Sequence, residues 1–328
     1  MSTMSKTRRT VTPFPHIEPA APETRRTMVE LATDNLLRVS DGEVAIAGSI
    51  SRKHKVTMPH SIPTLCGSLA GQPFTFNVKV HNAAYRVLGL DYTFVSFGVE
   101  DIAGAVNAMR TLGIRGLNVT MPHKQAVMAH LDALDETARE IGAVNTIDNR
   151  DGWLTGYNTD CAGAVRALEE ATPLQGRRIA LLGAGGAARA IAWGVQRAGA
   201  HVTLFNRTVS RGQALARDFN LAFGGNLGDF DPAAFDGVVN ATAAGFRAPD
   251  VNPLHPGQLA AHLFVMDAAF IPVRTKLIRD AEALGCRVID GTRMLLHQFC
   301  GQVELYTGQQ APIDAMSAAL LDEIARVG

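Results

Sequence analysis

The chain has 328 residues, 47% of them hydrophobic, and its 31 basic and 31 acidic residues give a formal net charge of zero. A balanced charge provides no general field that would attract nucleic acid or an anionic membrane, and no apolar run approaches the roughly 20 residues that cross a bilayer. The length is sufficient for two domains with separate hydrophobic cores.

Residues 1–60 are predicted to form an N-terminal extension that is partly disordered. Four prolines lie between positions 13 and 22, beside two arginine pairs. The prolines interrupt any amphipathic helix, which argues against an organelle transit peptide. Residues 44–47 and 55–58 could pair as a small β-hairpin, and Met28 or Met58 could equally be the true start.

From about Ser61 the sequence alternates strands with helices, which is the pattern of an α/β sheet. Strands are predicted at 65–69, 92–97 and 116–119, and helices at 80–88 and 102–112. A second α/β unit begins only after Gln175. The first unit is therefore predicted to be a separate domain that binds the substrate.

A nucleotide-binding signature begins with Arg178–Leu182, a short apolar run that predicts a buried parallel strand. Gly183, Gly185 and Ala188 follow and satisfy the pattern G-x-G-x-x-G/A. Such glycines permit a tight turn and close approach to a pyrophosphate, whose charge the next helix, at about 187–197, would hold. Gly199 is predicted to end that helix, and a second strand is predicted at 201–205.

The residues after the second strand indicate which dinucleotide is bound. NAD enzymes of this plan place Asp or Glu about 20 residues past the glycines. This chain has Asn206-Arg207-Thr208 there, with Arg211 one turn later. Guanidinium groups match a 2′-phosphate and cannot accept a hydrogen bond from a hydroxyl, so NADP is predicted. A glycine-rich turn in some other α/β unit is the alternative.

Three polar clusters in the first domain are predicted to lie at strand ends, where ligand crevices of open α/β sheets form. They are residues 116–124 (GLNVTMPHK), 142–146 (GAVNT) and 156–160 (GYNTD). Together they offer hydrogen-bond partners for a polyhydroxylated small molecule. They also supply one amine, Lys124, on a helix that Pro122 is predicted to open, and one carboxylate, Asp160.

Lys124 and Asp160 are suited to moving a proton. Hydride transfer from an alcohol leaves a hydroxyl proton that a base must take. Desolvation favours a neutral amine, and a nearby carboxylate orients it. Each residue alone has a plainer interpretation: Lys124 as a solvated helix residue, and Asp160 as the N-cap of a helix at 161–171.

The cysteines and histidines show no pattern of a metal site. Cys66, Cys161, Cys286 and Cys300 form no C-x-x-C pair, and no histidines have H-E-x-x-H spacing. We expect no metal, reduced thiols and a soluble cytoplasmic protein.

The chain resembles the shikimate dehydrogenase family from about Leu65 to the C-terminus. The motifs that carry the resemblance are NVT-M-P-x-K, GAVNT, NTD, GAGGA, NRT-VSR, NAT at 240–242 and G-x-x-M-L-x-x-Q at 291–298, in the family's order. The resemblance implies an α/β fold with a substrate-binding and catalytic domain (61–160 plus a helical return at 289–328) and a Rossmann-type NADP-binding domain (161–288). It implies an NADP-dependent alcohol dehydrogenase that reversibly reduces 3-dehydroshikimate to shikimate.

The resemblance also implies roles for individual residues. The catalytic pair would be Lys124 and Asp160. Ligands of the substrate hydroxyls would be Asn118, Thr120, Asn145 and Gln298. Cofactor contacts would be Gly183, Ala184, Gly185, Gly186, Ala187, Asn206, Arg207, Thr208 and Arg211, with Thr242 near the nicotinamide.

Two departures from the family pattern concern the substrate. The family usually has G-x-P-x-x-H-S-x-S-P before a His-Asn pair, and its two serines bind the substrate carboxylate. Residues 71–82 read GQPFTFNVKVHN, two residues shorter and without either serine. Thr75, Asn77 and Lys79 are the nearby polar candidates for that role, and His81 is expected to start or pack a helix. Phe270 stands where the family usually has a tyrosine whose hydroxyl approaches the substrate.

These departures leave alternatives open. One is a related dehydrogenase that prefers quinate or another hydroxylated ring acid. Another is an NADPH-binding regulatory protein without turnover, and a more distant one is a folate dehydrogenase of similar plan. The expected partners are a small-molecule substrate and the cofactor, in a monomer or homodimer.

Overall fold

The computed structural model of the protein describes residues 62–73 and 75–327. The predicted N-terminal extension, its β-hairpin and the alternative start sites lie outside the described residues. The described part of the chain forms one compact unit, which contains two β-sheets.

The first sheet has six strands in the order β2-β1-β3-β5-β6-β4. The strands are β1 (Thr64–Ala70), β2 (Tyr92–Gly98), β3 (Gly116–Val119), β4 (Ala133–Leu134), β5 (Thr146–Arg150) and β6 (Trp153–Tyr157). β1 pairs in parallel with β2 and β3, which were predicted as strands, whereas β5 runs antiparallel to both β3 and β6. The β5–β6 hairpin and the short β4 were not predicted.

Three helices accompany this sheet: α1 (Phe76–Val87), α2 (Ile102–Thr111) and α3 (Glu136–Ile141). The prediction that Pro122 opens a helix bearing Lys124 is wrong. Residues 121–125 form a turn, and a 3-10 helix follows at Ala126–His130. The Lys124 carbonyl accepts from the backbone N–H of Val144 at 2.8 Å, and the backbone N–H of Met128 donates to Gln125 rather than to Lys124. A long-range backbone contact therefore replaces the local one.

The second sheet is parallel throughout, in the order β9-β8-β7-β10-β11-β12. Its strands are β7 (Arg178–Leu182), β8 (His201–Phe205), β9 (Ala222–Gly225), β10 (Gly237–Asn240), β11 (Phe264–Asp267) and β12 (Arg287–Ile289), and its helices are α5 (Gly186–Arg197), α6 (Val209–Asp218) and α7 (Lys276–Ala283). If the six strands of this sheet are numbered from 1 to 6 in chain order, their order across the sheet is 3-2-1-4-5-6, which is that of a Rossmann sheet. The predicted strands β7 and β8 and the helix between them are confirmed.

Three further helices complete the unit: α4 (Thr159–Glu169), α8 (Gly291–Thr307) and α9 (Ile313–Val327). α4 begins two residues before its predicted start, and its N-cap is Asn158, whose side chain accepts from the backbone N–H of Cys161. Asp160 is thus not the cap. α8 packs along α4 and α9 packs along α1, so the C-terminal residues return to the first sheet.

Each sheet has its own buried core. Ile179, Leu181 and Leu204 from the second sheet are buried together with residues of α4 and α5. Among the described residues, no helix has the length and apolar character of a membrane span, and no group of three His, Cys, Asp or Glu side chains is arranged to hold a metal ion.

Candidate active site

The three polar clusters meet at one edge of the first sheet. Because β5 runs antiparallel to β3, the start of β5 lies beside the end of β3, and Thr146 stands opposite Asn118. β6 runs antiparallel to β5, so Tyr157, in the third cluster, stands opposite Thr146. The antiparallel hairpin is what brings the three clusters, which are separate in sequence, to the same place.

Lys124 and Asp160 form an ion pair at this edge. The Lys124 Nζ lies 2.5 Å from the Asp160 Oδ2, and the two side chains are 24% and 7% exposed. Asp160 occupies the first turn of α4, where a carboxylate interacts favourably with the helix dipole. The amine is therefore accessible to solvent or ligand, while its carboxylate partner is buried. This arrangement suits an acid–base group that a carboxylate holds in position.

His123 fixes the turn that carries Lys124. Its buried ring places Nε2 2.8 Å from the carbonyl of Val99, at the end of β2, and its backbone N–H donates to the carbonyl of Thr120. The sequence contained the histidine, but its partner is distant in the chain and gave no signal.

Asn145 connects the Lys124–Asp160 ion pair to the other polar residues at this edge of the first sheet. Its Oδ1 accepts from the backbone N–H of Thr159 and from the Thr146 hydroxyl, both at 2.8 Å. Its Nδ2 therefore points the other way, donating to Asp160 Oδ1 at 2.9 Å and lying 3.4 Å from Gln298 Oε1. The carboxamide direction is set by a backbone donor, and Asp160 is held from both sides.

Two further buried side chains lie behind this network, Gln302, which sequence analysis missed, and His81. Gln302, one turn after Gln298 on α8, donates from Nε2 to the Thr146 hydroxyl at 3.2 Å. The fully buried His81 donates from Nδ1 to the carbonyl of Asn77 at 2.7 Å and stacks on Phe94. Burial lowers the pKa of His81 to about 4. His81 therefore packs within α1, as expected, and is neutral at pH 7.

The segment that replaces the serine loop has unexpected contacts. The Thr75 hydroxyl donates to Oε1 of Glu323, a buried residue of α9, at 2.6 Å. Asn77 accepts from the backbone N–H of Val78, and Lys79 is exposed. No hydrogen bond within the described part of the chain links Thr75 or Asn77 to Lys124 or Asp160.

Phe270 is part of an aromatic group near this segment. Its ring meets Phe76 edge-on, with centroids 5.7 Å apart, and lies 5.4 Å from Phe246. The position where the family usually has a tyrosine hydroxyl is thus apolar in this chain.

The second sheet carries a cleft of about 530 Å³ at the point where its strand order reverses, between β7 and β10. Crevices at such switch points bind the ligands of open α/β sheets. Most predicted cofactor residues line it: Gly183, Ala184, Gly185, Asn206, Arg207, Thr208, Arg211 and Thr242. Sequence analysis missed four other lining residues, Leu227, Val251, Asn252 and Pro253. Gly186 and Ala187 form the first turn of α5 next to it.

The glycines of this cleft fit a dinucleotide. Gly183 has φ +108°, and a Cβ there would lie 3.0 Å from the carbonyl oxygen of Ala241, so a larger residue would be strained. A Cβ on Gly185 would meet no protein atom within 4 Å and would project into the open cradle. The backbone N–H groups at the start of α5 are therefore accessible to a pyrophosphate.

Arg207 and Arg211 are exposed at the start of α6, beside Asn206. Among the described residues, neither arginine has an acidic partner within ion-pair distance. Two unpaired guanidinium groups where an NAD enzyme would have a carboxylate fit the 2′-phosphate of NADP.

A buried network supports the loop that carries Thr242. The Asn240 Oδ1 accepts from the backbone N–H and the hydroxyl of Thr242, at 3.0 and 2.7 Å. Asn240 Nδ2 donates to Asp267 Oδ1 at 2.9 Å, and Thr275 donates to Asp267 Oδ2 at 2.6 Å. Burial raises the pKa of Asp267. Asp267 and Thr275 were not found by sequence analysis.

Comparisons with known proteins agree with this arrangement. The model of the shikimate dehydrogenase substrate binding domain matches residues 73–147, and that of the shikimate 5'-dehydrogenase C-terminal domain matches residues 291–321. A shikimate dehydrogenase (NADP(+)) of Pyrococcus abyssi is 41% identical over 263 residues, which are 79% of this chain and 98% of that protein.

Two solved structures share the fold over nearly their full length. Shikimate 5-dehydrogenase of Thermus thermophilus, in complex with NADP(H) and shikimate, has a TM-score of 0.74 and 31% identity, covering 80% of this chain and 100% of that one. A 5-ketofructose reductase of a Gluconobacter strain has a TM-score of 0.75 and 34% identity, covering 80% and 99%.

Proposed function

This chain belongs to the shikimate dehydrogenase family, and we propose that it is an NADP-dependent shikimate dehydrogenase whose acid–base pair is Lys124 and Asp160. The reaction is the reversible reduction of 3-dehydroshikimate to shikimate. The observation that carries the proposal is the Lys124–Asp160 ion pair, which Asn145 holds at the edge of the first sheet.

The residues of this chain transfer the proton and hold the group that carries it. When bound, NADPH supplies the hydride to the ketone carbon. Lys124 donates a proton to the oxygen that becomes the alkoxide, and in the reverse direction it takes the proton from the ring hydroxyl. Asp160 keeps the amine in position, and Asn145 fixes the carboxylate. General acid–base catalysis of this kind contributes about 10²- to 10⁴-fold in rate.

The other predicted residues bind and orient. We assign Asn118, Thr120, Asn145 and Gln298 to the substrate hydroxyls, and Thr75 and Asn77 to the end of the substrate farther from Lys124. The cofactor is assigned to Gly183, Ala184, Gly185, Gly186, Ala187, Asn206, Arg207, Thr208, Arg211 and Thr242. The proposed domains stay as predicted: 61–160 with 289–328 for the substrate, and 161–288 for NADP. A cytoplasmic location and a monomeric or homodimeric state stay predictions.

A second candidate function follows from the contact between Thr75 and Glu323. Thr75 is one of the polar candidates for the role of the missing serines, and its hydroxyl already donates a hydrogen bond to a buried carboxylate. A second carboxylate brought close to Glu323 would be repelled, with Arg326, 3.7 Å from that side chain, offsetting part of the repulsion. The Gluconobacter relative is named for 5-ketofructose, a ketose without a carboxylate. The candidate is therefore reduction of an uncharged polyhydroxylated ketone by the same Lys124–Asp160 pair.

The test measures nicotinamide absorbance with purified protein, NADP or NADPH, and four compounds in turn: shikimate, quinate, 3-dehydroshikimate and 5-ketofructose. Turnover of shikimate and 3-dehydroshikimate supports the first proposal. Turnover of quinate alone indicates the related ring-acid dehydrogenase, and turnover of 5-ketofructose alone indicates the uncharged ketone. Binding of NADPH with none of the four turned over contradicts both candidates and favours a regulatory protein.

A further inference from the structure

Tyr306, near the end of α8, contacts the predicted substrate ligand Asn118. Its hydroxyl donates to the Asn118 Oδ1 at 2.6 Å, across 188 residues of chain, and both side chains are buried. The resemblance assigned no role to Tyr306, and sequence analysis did not find it. The contact joins α8 to the end of β3, where the substrate hydroxyls are proposed to bind.

The contact determines which end of the Asn118 carboxamide faces the ligand. The two ends have nearly the same shape, so only hydrogen-bond partners distinguish them. Burial raises the pKa of Tyr306 well above its usual value, so the phenol stays protonated and donates. A donor on one side holds Oδ1 there, and Nδ2 must point to the other side.

The Asn118 Nδ2 is buried and has no hydrogen-bond partner within the described part of the chain. An unpaired buried donor is costly, because it has lost its water without gaining another acceptor. A substrate hydroxyl oxygen would satisfy it. The N–H groups of Asn118, rather than its carbonyl, are therefore what this site offers to a substrate.

Packing leaves Tyr306 little freedom to move. A Cβ on Gly116 would overlap the Tyr306 ring, so the ring lies directly against the β3 backbone. Tyr306 is also one turn beyond Gln302 and two turns beyond Gln298 on α8, so the three side chains lie along one face of that helix. That face of α8 supports, at three points, the edge of the first sheet where the substrate is proposed to bind.

We propose that Tyr306 is a positioning residue that orients the Asn118 carboxamide so that Nδ2 binds a hydroxyl oxygen of the substrate. This inference rests on the proposed function for the identity of the substrate. The orientation of Asn118 itself depends only on the contacts described above.

The test compares Tyr306→Phe with the parent enzyme in steady-state kinetics. Loss of the hydroxyl lets the carboxamide turn, so the KM for shikimate rises about 5- to 10-fold. The kcat changes less than about twofold, because the interaction is equal in ground and transition states. Tyr85→Phe, which removes the hydroxyl of another buried tyrosine, is the matched control and leaves KM unchanged.

A double-mutant comparison separates positioning from general destabilisation. In an Asn118→Ala background, Tyr306→Phe produces no further rise in KM, because the group that it orients is gone. A rise of the same factor in both backgrounds overturns the proposal.

A second readout does not need turnover. Asparagine-selective 15N labelling gives the side-chain NH₂ signals, and the Asn118 pair is the one missing from the Asn118→Ala variant. Tyr306→Phe is expected to shift or broaden that pair, while Tyr85→Phe leaves it in place. An unchanged pair overturns the proposal. If the parent enzyme oxidises no shikimate, the proposed function fails, and this measurement still decides the role of Tyr306.

Discussion

The Lys124 ammonium lies 2.5 Å from the Asp160 carboxylate, although 36 residues of chain separate them. Lys124 stands on a turn after β3, and Asp160 stands in the first turn of α4. Because Asn158 caps that helix, the Asp160 carboxylate remains available to the amine and to Asn145. Because the asparagine two residues upstream caps the helix, the Asp160 carboxylate is left to bind the Lys124 amine.

Replacing Lys124 with alanine removes the proposed proton donor. We expect kcat to fall about 10²- to 10⁴-fold, while the dissociation constant of NADPH stays within about twofold. Turnover and NADPH fluorescence titration measure the two quantities. Arg86→Ala, at an exposed position in the last turn of α1 and outside the ion pair, is the control and keeps most activity. An equal loss of turnover and NADPH affinity would count against an acid–base role for Lys124.

Arg207→Ala and Arg211→Ala test the choice of cofactor. Each substitution removes a charge-assisted contact to the 2′-phosphate, so NADPH affinity falls about 10- to 100-fold. NADH lacks that phosphate, and its affinity changes little. Arg217→Ala, an exposed arginine near the other end of α6, is the matched control. A parallel loss of NADPH and NADH affinity would contradict the assignment.

His81 makes the stability of the protein depend on pH. Its folded-state pKa is about 4, below the ordinary 6.5, because burial disfavours the charged ring. Below pH 6.5 the unfolded chain takes up a proton that the folded protein does not. The free energy of unfolding therefore falls as the pH drops from 6.5 to 4, by an amount on the order of 3 kcal/mol from this group.

Urea unfolding at pH 7 and pH 5 measures this dependence. In a His81→Phe variant, which keeps an aromatic ring beside Phe94, the stability difference between the two pH values should shrink by about 2 kcal/mol. His255→Asn, at an exposed site, is the control and retains the parental difference. Identical pH dependence in the parent and His81→Phe would show that His81 does not contribute.

The four cysteines should be unreactive in the native protein. All are free and buried, and burial raises the pKa of Cys66 to about 11, of Cys161 to about 12 and of Cys300 to about 11. The thiolate is the nucleophile, so both its scarcity at pH 8 and its burial slow modification. A colorimetric disulfide reagent should titrate all four thiols quickly in urea and slowly without it. Rapid native labelling would contradict the burial.

Much of the fold was predictable from local sequence. β7, α5 and β8 were predicted to within a residue or two, because apolar runs and glycine turns act over a few neighbouring residues. The helix expected at Lys124 was wrong, since the Lys124 carbonyl bonds to Val144 instead. The β5–β6 hairpin was also missed, although it is what gathers the site.

The sequence by itself determined the family, the glycine turn and the arginine pair, since motifs at fixed spacing report local geometry and cofactor chemistry. The tertiary structure alone decided which partner each polar side chain has. Tyr306 reaches Asn118 across 188 residues, and Thr75 reaches Glu323 across 248. Such contacts depend on how distant helices pack against the sheet, and no local pattern of residues encodes that packing. The proposed catalytic residues were therefore readable in the sequence, whereas the side chains that contact them across the fold were not.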